Sequence, residues 1–205
     1  MYKKVLIIAF SIAVLIFSMT DVTRAYLTTL TVQKNNLFFH GSLTATIYEN
    51  GSLAPDGTKN LTPTGNMAAK LVQVKNMPNS REINAYIRVM LVPIFRSSSG
   101  TFGGNMSLNP SGNTITIVSP NGGTVTLNLI SGWGNNWIYS NGYYYYKKIV
   151  HPNELTTALL ENVTVSDSAL WNTFQLELLS DAIQAESGAA TSAWGASIAG
   201  QLEQP

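Results

Sequence analysis

The chain has 205 residues, 12 basic against 11 acidic, a formal net charge of +1, and charged residues make up only 11% of it. That is well below the usual quarter or so, and with neither a basic field nor an acidic tail, nucleic acid and anionic lipid are excluded as expected partners. There is no cysteine, so no disulfide framework and no thiol nucleophile are available, and stability has to come from a packed core or from partners.

Lys3 and Lys4 precede an apolar run from Val5 to Phe17, which breaks into Ser18-Met19-Thr20-Asp21-Val22 and then Thr23-Arg24-Ala25-Tyr26. A positive start, a short apolar middle and small residues at −3 and −1 (Thr23, Ala25) read as a secretory signal peptide over 1–25, cut between Ala25 and Tyr26. Val5 to Met19 is 15 residues, short of the roughly 20 that a spanning helix needs. No membrane contact is expected after cleavage. Loss of Lys3, Lys4, Arg24 and Asp21 leaves nine basic against ten acidic residues, a mature charge of −1. A surface of Thr, Ser, Asn and Gly puts little charge repulsion between copies. Residues 26–205 suffice for one core and are expected to form a single domain.

Thr28, Leu30 and Val32 alternate with Thr29, Thr31 and Gln33, the period of a half-buried strand. Ser42 to Tyr48 repeats the pattern, and the polar, Gly/Pro-bearing stretch from Asn50 to Asn66 is a loop. Met67–Asn76 and Ile83–Phe95 follow as longer strands, the second with Tyr86, Arg88, Met90 and Val92 on one face. Two hairpins come next: 114–118 with 124–129 around Pro120-Asn121-Gly122-Gly123, and 137–139 with 143–146 around Asn141-Gly142. Asn-Gly is the strongest two-residue hairpin signal, because both positions tolerate positive φ. Strands near 159–165 and 173–179 complete the set, and 181–202, rich in Ala, Gln and Glu, favours helix. Many short strands at regular spacing predict an all-β fold, an antiparallel jelly-roll-like β-sandwich with a short C-terminal helix.

Chemistry is scarce. His40 and His151 stand far apart, in no His-x-x-x-His spacing, so no metal site and no cofactor are expected. There is no Gly-x-Ser-x-Gly elbow. Glu154, Glu161, Asp167, Glu177 and Asp181 cluster late but occupy ordinary loop, strand and cap positions. Trp133, Trp137, Tyr143 and Tyr145 outline a candidate aromatic surface for glycan. Alternation turns one half of the Tyr run inward, and the preferred reading is core and edge packing, with cross-strand aromatic pairs worth roughly 0.2–1 kcal/mol each.

Several stretches, taken in order, carry a resemblance. They are Lys3-Lys4 with Ala25-Tyr26-Leu27-Thr28, Gly41-Ser42-Leu43 leading to Ile47-Tyr48-Glu49, Lys70 to Asn76, and Tyr86-Ile87-Arg88-Val89. Trp137 through Asn141-Gly142 to Lys147, Thr156 to Leu160, Ala182-Ile183-Gln184-Ala185 and Ala193-Trp194-Gly195 follow. Across almost its whole length the chain resembles the secreted TasA/camelysin family, whose alternate-type signal peptides are removed by a dedicated signal peptidase. The approach to the cut, Asp21-Val22-Thr23-Arg24, is more polar than the family's Gly/Ala-rich one.

The resemblance implies a jelly-roll subunit of biofilm-matrix fibres, secreted to the matrix or cell surface, self-associating and meeting other matrix proteins. Its N-terminal strand, 26–33, would insert into the next subunit. Camelysin itself is a cell-surface metalloprotease, which leaves that activity, and a glycan-binding surface module, as alternatives. Strand donation is also reasonable physically. The polar Lys34-Asn35-Asn36 is not expected to hold a rigid turn, and a vacant sheet edge invites another chain. Inserted Leu30 and Val32 would each contribute roughly 1.5–3 kcal/mol. A head-to-tail operation that does not close gives a filament.

Overall fold

Alternation of buried apolar and outward polar side chains sets most of the strands. The computed structural model describes residues 43–54, 61–78, 83–96, 102–103 and 108–205, all within the unit Gly41–Pro205. In chain order the strands are β1 (Ala45–Glu49), β2 (Ser52–Leu53), β3 (Pro63–Thr64), β4 (Met67–Ala69), β5 (Val72–Asn76), β6 (Ala85–Arg96) and β7 (Phe102–Gly103). They continue with β8 (Thr114–Val118), β9 (Thr124–Leu129), β10 (Trp137–Ser140), β11 (Tyr143–Tyr146), β12 (Leu160–Val165) and β13 (Phe174–Gln184). Two short helices, α1 (Ala189–Trp194) and α2 (Ala196–Ala199), follow.

The strands form three sheets, ordered β2-β1-β5, β10-β11-β6-β13 and β3-β4-β12-β9-β8, with β7 added to β6. Every pairing of named strands is antiparallel. Ile47, Val72 and Val74 from the first sheet, Ile87, Leu91 and Leu178 from the second, and Ile115, Leu127 and Val163 from the third meet in one buried cluster. Each such side chain contributes roughly 1.5–3 kcal/mol when fully buried. The arrangement agrees with an all-β sandwich. Both predicted hairpins form, and Asn141 and Gly142 sit at φ of 50° and 85°, the conformation the hairpin required.

Two predicted elements need correction. Met67–Asn76 is two strands in different sheets, broken at Lys70 and Leu71. The Asn50 side chain clamps the break, donating to the Ala69 carbonyl (3.1 Å) and accepting from the Leu71 N–H (2.8 Å). The helical reading of 181–202 is wrong at its start. β13 continues to Gln184, paired with β6 as far as Ala85, and ladder bonds with burial of Ala182 override helix propensity there. Helix is confined to α1 and α2, divided at Gly195, whose φ of 90° no other residue adopts easily. No helix among the described residues is long and apolar enough to cross a membrane.

Candidate functional site

The aromatic hairpin divides its rings between two faces. Trp137, Tyr139, Tyr144 and Tyr146 turn into the main core, with ring centroids 4.9 Å apart for Trp137–Tyr146 and for Tyr139–Tyr144. Trp133 meets Tyr144 edge-on at 5.7 Å and donates its indole N–H to the Gly112 carbonyl. Burial, and then the neighbouring Tyr139, push the Tyr144 hydroxyl well above its ordinary pKa.

The opposite face is covered by the chain's own C-terminal segment. Tyr145 and Tyr86 pack against Trp194 at 5.2 and 6.4 Å, with Ala190, Ile198 and Leu202 completing the cluster. Arg88 lies over Tyr143 (4.2 Å) and Trp194 (5.4 Å) and bonds Asp181 at 2.8 Å. Burial alone would lower the Arg88 pKa, but its bonds to Tyr145 and Asp181 raise it, so the guanidinium stays charged. The tail is then pinned: Tyr86 donates to the Glu203 carbonyl (2.7 Å), and the Ile149 N–H donates to the Glu203 carboxylate (2.8 Å). The candidate glycan surface is therefore corrected. Trp137 and Tyr145 are 1% and 5% exposed on opposite faces, and Trp133 and Tyr143 are half-buried, so the four form no continuous platform.

The scattered polar residues have local structural roles. The His151 ring shares a 2.8 Å hydrogen bond with Asn84, and Glu154 accepts from the His151 backbone N–H. Asp167 caps a 3-10 turn at Ser168–Asn172. Glu161 sits in a bulge of β12, where the pairing with β9 shifts register. Among the described residues no three His, Asp or Glu side chains gather as a metal site; His40 lies outside the described residues. So do the cleavage residues Ala25 and Tyr26 and the donor-strand residues Thr28, Leu30 and Val32.

The strand edges differ in how they are finished. The side of β5 away from β1 is covered by residues 154–159. Thr156 N–H donates to the Val74 carbonyl (2.8 Å), Val74 N–H donates to the Thr156 hydroxyl (2.9 Å), and Leu159 N–H donates to the Val72 carbonyl (2.8 Å). Buried Asn76 donates to the Ile83 and Val150 carbonyls, both at 2.9 Å. The other side of the fold is more open. β13 pairs with β6 through all eleven residues, and among the described residues no strand pairs with its other edge. β1 comes within 8 Å of β13, Cα to Cα, yet belongs to another sheet. Among the described residues, the side of β1 away from β5 pairs at Tyr48 and Glu49 with the short β2, and the Ile47 carbonyl accepts from the Ala54 N–H (2.9 Å).

A buried ion pair, Glu49 with Lys70 at 2.5 Å, joins the end of β1 to the break that precedes β5. The sequence held a signal for it. Lys70, Val72, Val74 and Asn76 share one parity, as do Ile47 and Glu49, and all six are buried. A period-two pattern that puts Val72 and Val74 inside puts Lys70 there too. Compared with known proteins, the chain matches no protein family, no curated protein and no solved structure.

Proposed function

We propose that the chain is a non-enzymatic structural subunit of an extracellular fibre or matrix, a jelly-roll-like sandwich exported with its signal peptide removed after Ala25. Subunits join head to tail when strand 26–33 of one enters the sheet of the next. The observation that carries this reading is the seam of β1 and β13, where among the described residues an eleven-residue edge has no strand partner and lies beside a partly paired strand. An incoming strand can satisfy such an edge through main-chain bonds while alternate side chains enter the core. Two further features support it. The aromatic hairpin is taken up by internal packing, and a chain with 11% charged residues sets little repulsion against assembly.

The test is negative-stain microscopy of the mature protein over time and concentration. Filaments should form from the protein beginning at Tyr26. A protein that stays monomeric at every concentration, with its N-terminus intact, would overturn the reading.

A further inference from the structure

We propose that Lys70 and Glu49 condense inside the folded protein to form an intramolecular amide, a covalent tie between β1 and the break that precedes β5. The geometry places the reactants together. Glu49 lies opposite Val72 in the β1–β5 register, and Lys70 precedes Val72 by two residues on the same inward parity. Diagonal neighbours of this kind lie within reach of long side chains. Lys70 Nζ is 2.5 Å from Glu49 Oε2, and the side chains are 1% and 0% exposed. Charge-assisted N–H···O bonds usually span about 2.7–2.9 Å. The attacking nitrogen is thus held against an oxygen one bond from the carbon it must reach.

The Glu49 carboxylate is poorly satisfied at rest. Glu49 Oε1 is buried with no hydrogen-bond partner, and a carboxylate buried with one oxygen unmet is costly. Condensation removes both charges. The proton passes from the Nζ ammonium to the carboxylate, giving amine and acid. The nitrogen lone pair then forms a bond to Cδ, the C–OH bond breaks, and the departing hydroxyl takes a proton from nitrogen to leave as one water. The balance requires no oxidant, metal or cofactor. Fixed proximity supplies the drive, since well-oriented intramolecular groups reach effective molarities on the order of 10⁵–10⁸ M. The product closes a loop in the unfolded chain in the way a disulfide does, in a protein that has no cysteine.

Intact-mass spectrometry of the purified full chain, unfolded in denaturant, reads the result directly. The expected mass is one water below that of the sequence, and trypsin should leave a branched peptide joining the segments around Glu49 and Lys70, uncut after Lys70. Glu49→Gln should give the same amide, and so the same final mass, by losing ammonia instead. Lys70→Met and Glu49→Ala should show the full mass of their sequences. Wild-type protein at full mass after prolonged incubation, without the branched peptide, would overturn the proposal and leave an ion pair. Water loss that persists in Glu49→Ala, or that comes without the branched peptide, overturns it equally, because the reaction would then lie elsewhere.

Discussion

The two outer edges nearest β1 are finished differently. At β5 a loop supplies the missing partner, with Thr156 and Asn76 placing side-chain groups where strand bonds would otherwise fall. At β13 the described chain supplies none. Both edges border the same core, since Val72, Val74, Leu176 and Leu178 belong to one cluster. The difference therefore lies in main-chain bonding and not in hydrophobicity. An edge closed by buried side chains and loop backbone of its own chain is committed to that chain. One left with its apolar face packed and its backbone unpaired is suited to exchange partners.

Breaking the open side should have the largest effect, because assembly is all or none. Deleting Tyr26 to Gln33 is expected to abolish filaments while leaving the far-ultraviolet circular dichroism of a folded sheet. A synthetic peptide of the same sequence should bind the truncated protein and cap it without extending a fibre. Filaments of unchanged width from the truncated protein would assign assembly to another edge.

Breaking the closed side should cost stability, in graded steps. Lys70→Met prevents the tie to Glu49 and leaves that carboxyl group buried without its partner, and loss of one partner of a buried pair costs about 3–5 kcal/mol. Thr156→Val keeps the volume but removes the acceptor for the Val74 N–H, and a buried unsatisfied donor costs about 1–3 kcal/mol. Denaturant midpoints of the two variants should rank in that order, with unchanged slopes. A Thr156→Val midpoint equal to wild type would mean that the loop's apolar contacts, and not its bonds, hold the β5 edge.

Much of this architecture was legible in the residues, and what was not has identifiable causes. Period-two alternation located β1, β6 and both hairpins, and Asn141-Gly142 specified its turn. Alternation cannot say where one run changes sheets. The break at Lys70 and Leu71 depends on Asn50, some twenty residues earlier, bonding across it. Composition misread Asp181 to Gln184, where Ala and Gln favour helix but pairing with Arg88, Ile87, Tyr86 and Ala85 decides. The aromatic run was legible as a hairpin with half of its rings packed inward, but not as one covered on both faces. Its outer face is covered by Trp194, about fifty residues away, and no local pattern encodes that contact.

The smallest effect is expected with pH, and it bears on the core that both edges share. Tyr144 is held above the ordinary tyrosine value of 10.0 by burial first and Tyr139 second, and Tyr86 by burial first and Glu203 second. As pH rises past about 10, the unfolded chain releases these phenolic protons while the native chain keeps them. The native state then binds more protons, so stability falls with rising pH. This contribution is complete below the unfolded value and fades as pH approaches the raised native ones. Thermal melts should accordingly show a plateau through neutral pH and a decline in Tm above about pH 10. Tyr144→Phe, which gives up only a long 3.4 Å bond to the Leu108 carbonyl, should flatten that decline more than Tyr86→Phe, because the Tyr144 shift is the larger. An identical alkaline decline in the Tyr144→Phe variant would place the sensitivity elsewhere. If alkaline conditions instead released filaments while the monomer's Tm held, the open edge would be the pH-sensitive one, and the shared core would not set its strength.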